Sequence, residues 1–132
     1  MESAAAHQGS YERGDPTRFT GEVWMLRVPL AADGTETVVV HFSVGARTHW
    51  HMHPAGQLLI VQSGRGRVVP RGGQGQLLVP GDIIYAPPGE WHCHGGGPDS
   101  PMAHVAVNLA VNIAGSSKWG DPVTDEEYGE IF

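Results

Sequence analysis

The amino-acid sequence predicts an all-β protein, a barrel or jelly roll of seven or eight short strands. Three observations carry that prediction. Apolar runs of strand length recur along the whole chain, and nineteen Gly and ten Pro fall between them as turn signals rather than in repeats. No strand is followed by a long helical pattern, so βαβ architecture is excluded.

The elements follow in order. Residues 1–18 are small and polar without periodicity, and read as a flexible arm of the kind that can add a strand to a partner subunit; residues 19–132 read as one domain. Phe19–Leu30 is a first strand run, ended by Pro29 and the Ala-Asp-Gly at 32–34. In Thr35–Val44, Val38, Val40, Phe42 and Val44 share one face, and Val39, His41 and Ser43 the other. Gln57–Gln62 is nearly all apolar, as expected of a strand buried on both faces. Arg65–Pro70, Gln76–Val79 and Ile83–Ala86 are short strands separated by Gly- and Pro-containing turns. Met102–Ile113 reads as one long strand, with Val105, Val107, Leu109 and Val111 on one face and His104, Ala106, Asn108 and Ala110 on the other, pocket-lining face. Thr124 followed by Glu127 is a capping box, so a short C-terminal helix is expected.

Composition narrows the function. Eight Lys and Arg against fourteen Asp and Glu give a net charge of -6, which leaves no basic stripe for nucleic acid. No run approaches the length of a membrane-spanning helix, and MESAAAHQGSYERGD has no apolar core of a signal peptide. Cys93 stands alone, so a disulfide within the chain is excluded and a reducing, cytoplasmic setting is expected.

The stretch Gly45–Gly64, GARTHWHMHPAGQLLIVQSG, concentrates the chemistry. His49, His51 and His53 alternate, and alternate side chains of a strand share a face. Crowded imidazoles repel when protonated and are costly to bury alone; a divalent metal relieves both problems. His92 and His94 repeat the alternation later in the chain. No acid lies between Glu36 and Asp82, so a metal held here would keep neutral ligands and its full charge.

The spacing is specific. Gly45, five residues, His51-x-His53, three residues, Gln57, six residues and Gly64 resembles the first cupin motif, with Gln in place of Glu. Gly81, five residues, Pro87-x-Gly89, two residues and His92 resembles the second, with Gly96 where Asn is usual. The resemblance implies a cupin double-stranded β-helix and a divalent metal held by His51, His53, Gln57 and His92. Manganese, iron, nickel or zinc would all suit these ligands.

GARTHWHMHPAGQLLIV, PGDIIYAPPGEWHCHG, PMAHVAVN and VTDEEY together resemble small cupins that include bacterial manganese-dependent hydroxynitrile lyases, whose relatives are often labelled carboxymuconolactone decarboxylase-like. That resemblance implies manganese, a proton-transfer role for His104, pocket roles for Thr48 and His94, and pocket-lining positions at Val38, Val40 and Asn108. Cyanohydrin cleavage or synthesis is the reaction it implies. A cupin dioxygenase, a polyketide cyclase-like enzyme and a non-catalytic small-molecule binder are the alternatives. His49 is read as a rim residue, Arg47 as either an anion holder or a structural charge, and Cys93, Trp50 and Trp91 as packing. His7 and His41 are given no chemistry, Trp24 and Trp119 no task. The family resemblance implies an apolar sheet face buried against a twin, and the second face of the Met102–Ile113 strand, with His104, Ala106, Asn108 and Ala110, is read as that face, so a homodimer or homotetramer is expected.

Overall fold

The computed structural model describes residues 9–28 and 34–129, together with Ser3. Two curled antiparallel sheets face one another. The first contains β1 (Glu12–Arg13), β3 (Val23–Arg27), β4 (Glu36–Phe42), β12 (Met102–Asn108), β7 (Gln57–Gly64) and β10 (Ile83–Ala86), in that spatial order. The second runs β13 (Lys118–Trp119), β6 (His51–Met52), β11 (His92–Gly96), β5 (Arg47–Thr48) and β2 (Phe19–Thr20), with β8 (Gly66–Pro70) on β11 and β9 (Gln76–Leu78) on β8. A single turn, α1 (Val111–Ala114), and a short helix, α2 (Asp125–Gly129), complete the described chain. This is the predicted jelly roll.

The alternation read from the sequence sets the interior. Val38, Val40 and Phe42 of β4 join Phe19, Val61, Leu78 and Met102 in the core between the sheets. Val44 was expected with them but is 54% exposed, because β4 ends at Phe42 before the turn at Gly45. A second cluster, Trp50, Val69, Cys93, Val123 and Tyr128, packs beneath α2. The capping box is present: Glu127 N–H donates to Thr124 Oγ1 at 3.1 Å, and Thr124 N–H to Glu127 Oε1 at 3.0 Å.

Several expectations need correction. β12 stops at Asn108, whose partners Glu36 and Gln57 are the first residues of β4 and β7. Beyond it no strand remains to pair with among the described residues, and Ala110 turns left-handed at φ 46°. The apolar pattern ran on; the hydrogen-bond partners did not. β7 is buried on one face only, with Leu58 and Ile60 half-buried on the other. The His104–Ala106–Asn108 face of β12 lines the interior and is closed to a twin. Instead, Val105 and Val107 share an outer face with Leu58, Ile60, Ile83 and Tyr85, of which Ile83 is 66% and Tyr85 55% exposed. Glu12–Arg13, within the expected arm, pair with β3. Residues 1–2 and 4–8, with His7, and residues 29–33, with the strand end expected there, lie outside the described residues.

Arg47 proves structural. Its guanidinium donates to Val123 O at 2.6 Å and to Asp125 Oδ1 at 2.8 Å, and it lies over the Tyr128 ring. It ties α2 to the barrel, so the anion-holding alternative falls. Tyr128 adds to the anchor by donating its hydroxyl to Gly96 O at 2.7 Å.

Gly64 closes the first motif with φ +72°, and a Cβ there would strike the Pro101 carbonyl. Gly64→Ala is therefore expected to cost at least the ~1–3 kcal/mol of a strained residue, read as a lowered urea midpoint. An exposed glycine with an open surrounding and positive φ, Gly72, is the control, with the conformational cost alone.

Candidate metal centre

His51 lies on β6, His53 just beyond it, Gln57 at the start of β7 and His92 at the start of β11. His92 sits directly opposite His51 in the ladder. One ligand atom from each of His51, His53 and His92 falls within 4.8 Å of the others, in three buried rings. These are three of the four expected ligands.

What lies behind each ring decides which nitrogen faces inward. His51 Nδ1 is 2.9 Å from the His49 carbonyl, and His92 Nδ1 is 2.9 Å from the Glu90 carbonyl. A carbonyl only accepts, so both rings carry their proton on Nδ1 and leave Nε2 as a bare lone pair. His53 Nδ1 meets the Ser117 hydroxyl at 2.8 Å, and its buried Nε2 has no protein partner. Such outer contacts orient metal-binding imidazoles.

Gln57 supplies the strongest test of fit. Its Nε2 donates to Asn108 Oδ1 at 2.8 Å, which turns its Oε1 toward His92 Nε2 at 3.2 Å. Two acceptors thus face each other in a buried site with no proton between them. A cation between such groups removes the repulsion. The residues present fit a divalent metal.

Burial keeps the cluster neutral. It pushes His51 well below the usual imidazole pKa, with His92 and His53 adding repulsion, and lowers His92 as well. His53 is brought down to about 4 by burial and by His92.

A cavity of about 530 Å³ opens beside the cluster, bordered by His53, Gln57, Thr48, His94, His104 and Asn108. Val38 and Val40 form part of its wall. His94 Nδ1 and His104 Nε2 are 2.9 Å apart. Whichever ring donates, this neutral pair presents one N–H and one lone pair at its outer nitrogens, His94 Nε2 and His104 Nδ1, neither of which has a protein partner. Burial brings His104 down to about 4 and His94 well below its ordinary value, the latter with His104 as the next cause. Thr48 Oγ1 accepts from the His94 main-chain N–H at 3.1 Å, which ties β5 to β11 and leaves the hydroxyl proton free to donate.

Three participants escaped the sequence reading. Trp119 stacks on His51 with centroids 4.5 Å apart and planes at 17°. Ser117 backs His53 from the loop just before the two-residue strand that carries Trp119, and neither segment has an alternation to detect. Glu36 also borders the cavity; pairing β4 with β12, both visible in the sequence, would have placed it there. His49 is buried rather than on the rim, and its carbonyl, not its ring, serves the site. Cys93 is buried and its thiol pushed up to about 12 by desolvation, which leaves it unreactive.

A jelly roll whose paired strands converge three imidazoles beside an internal cavity defines a metal-site β-barrel. Residues 38–108 match the family model described as cupin domain, and the chain belongs to the cupin family. It is 43% identical over 89 residues to the (R)-mandelonitrile lyase of Granulicella tundricola, covering 67% of each chain. A cupin-like protein from Thermotoga maritima superposes with TM-score 0.84 at 38% identity, over 88% of this chain and 89% of that one. The polyketide cyclase RemF from Streptomyces resistomycificus shares the fold, with TM-score 0.73 at 20% identity over 97% of this chain and 90% of that one.

The depressed imidazoles have a pH signature. The unfolded chain takes up protons near pH 6.5, whereas His53 and His104 in the folded protein do so only near 4. Between those values the unfolded state binds more protons, so stability rises with pH across the window and is lost as pH falls through it. The melting temperature of metal-stripped protein is expected to be level above pH 6.5 and to drop steadily toward pH 4. His104→Leu should flatten part of that drop.

Proposed function

We propose that this cupin binds one divalent metal, manganese for preference, through Nε2 of His51, His53 and His92 and Oε1 of Gln57, and acts as a hydroxynitrile lyase. The observation that supports the reading is the placement of a hydrogen-bonded His94–His104 pair in the same cavity as His53 and Gln57. The name of the 43% identical relative favours the same reaction.

When bound, the metal supplies a Lewis acid that polarises the substrate oxygen and eases loss of its proton. His104, neutral and buried, takes the hydroxyl proton of the cyanohydrin. The carbonyl forms as the carbon–cyanide bond breaks, and cyanide leaves with the bonding electrons. The proton then passes from the histidine pair to cyanide, giving hydrogen cyanide and the aldehyde, and the sequence runs in reverse for synthesis. His94 holds the His104 ring in register, while Thr48 orients the substrate oxygen. Val38, Val40 and Phe42 give the cavity an apolar wall suited to the substrate's hydrocarbon part. The mandelonitrile enantiomer named for the relative is the natural first substrate.

Manganese-loaded protein is expected to release cyanide from (R)-mandelonitrile, and chelation should abolish the release. His104→Ala should lower kcat/KM by about 10²-fold or more, the scale of a lost acid–base group. Oxygen uptake on a diketone with no cyanide release would replace the lyase reading with the dioxygenase.

The protein also acts, on this proposal, in the cytoplasm as a homodimer or a tetramer built from dimers. The outer apolar patch of Leu58, Ile60, Ile83, Tyr85, Val105 and Val107 is the surface a second copy covers. Light scattering should return a dimeric or tetrameric mass, and Ile83→Arg with Tyr85→Arg should return a monomer.

A further inference from the structure

A glutamine side chain can seat its amide either way round, and only one way gives a metal an oxygen. We infer that Glu36 is the positioning residue that settles this choice for Gln57, through Asn108. The inference rests on the reading of Gln57 as a ligand.

The three residues form one rung across adjacent strands: Asn108 of β12 lies opposite Glu36 of β4 on one side and Gln57 of β7 on the other. Arg27 Nη1 donates to Glu36 Oε2 at 3.0 Å, which holds the carboxylate in its ion pair. A carboxylate accepts and never donates. Asn108 must therefore turn its NH₂ toward Glu36, and Nδ2 donates to Oε1 at 2.9 Å. That turn sends Asn108 Oδ1 the other way, where it accepts from Gln57 Nε2 at 2.8 Å. The Gln57 NH₂ is then used, and its Oε1 is left facing His92. One charge at the cavity mouth fixes the polarity of two reversible amides and exposes a lone pair in the ligand cluster. A neutral residue at 36 would leave the rung free to run either way, and in the reversed arrangement Gln57 offers the cluster an N–H.

The test is Mn²⁺ titration calorimetry on metal-stripped protein at one pH. Glu36→Gln keeps shape and removes the acceptor-only constraint. It should weaken Mn²⁺ binding about 10- to 100-fold, the range for groups that orient ligands, while the metal-free melting temperature changes little. Asn108→Leu, which cuts the rung without touching Glu36, should give the same loss and carries the test if Glu36→Gln does not fold. In a Gln57→Glu background, where either carboxylate oxygen can face the metal, Glu36→Gln should cause no loss. An undiminished affinity in Glu36→Gln overturns the inference and leaves the metal reading standing. An equal loss in the Gln57→Glu background also overturns it, because the effect is then only that of a removed negative charge. Absence of Mn²⁺ binding by the wild-type protein overturns both.

Discussion

The site depends on imidazoles buried without charge. Five rings, His51, His53, His92, His94 and His104, lie within the barrel at no more than 5% exposure. Among the described residues no carboxylate joins the ligand cluster, and the pull of Glu90 toward a charged His92 is outweighed by burial. Each ring must remain neutral, and a neutral imidazole has one donor and one acceptor nitrogen. The surrounding backbone decides which is which. Carbonyls of His49 and Glu90 take the protons of His51 and His92, so acceptors converge inside. The same rule makes the His94–His104 pair a matched donor and acceptor rather than two equivalent bases.

This neutrality separates the work of the two histidine groups. The ligand cluster gathers lone pairs and no negative charge, so an ion held there would retain its electrostatic pull on a substrate oxygen. The second pair stands a short distance away, linked through the His51–His94 ring contact at 5.1 Å. It can accept a proton because desolvation has kept it unprotonated. Phe42 packs against both rings of the pair, 5.8 Å from His94 and 5.2 Å from His104 between centroids.

A two-residue period made the inward face of β4 legible, and distinctive turn and cap residues the jelly roll's strand breaks and the capping box. The convergence of His51 and His53 with His92 was legible only through the resemblance to the cupin motifs. Long-range partners were harder to see. The end of β12 depends on where β4 and β7 begin, and the apolar run through Ile113 concealed it. Trp119 reaches the site on a strand too short to show a period, and Ser117 from the loop just before it. His49 was read as a rim residue, and its burial and its carbonyl's contribution came from tertiary packing. Arg47 could not be assigned until Val123, Asp125 and Tyr128 were brought to it from the far end of the chain.

The Trp119 contact carries a consequence for the order of assembly. Its ring lies against His51 on one side, with the Arg18 guanidinium 5.4 Å from its centroid, and also touches Phe19. The wall of the site is thus joined from residues near both ends of the described chain. During synthesis, a ribosome that has released the entire first histidine motif has still not delivered the indole that packs against it. The nascent barrel must wait, with its imidazoles incompletely covered, until Trp119 emerges. Non-local closure of this kind is slow compared with local pairing, so the centre is completed only after the segment carrying Trp119 has emerged rather than as its ligands appear.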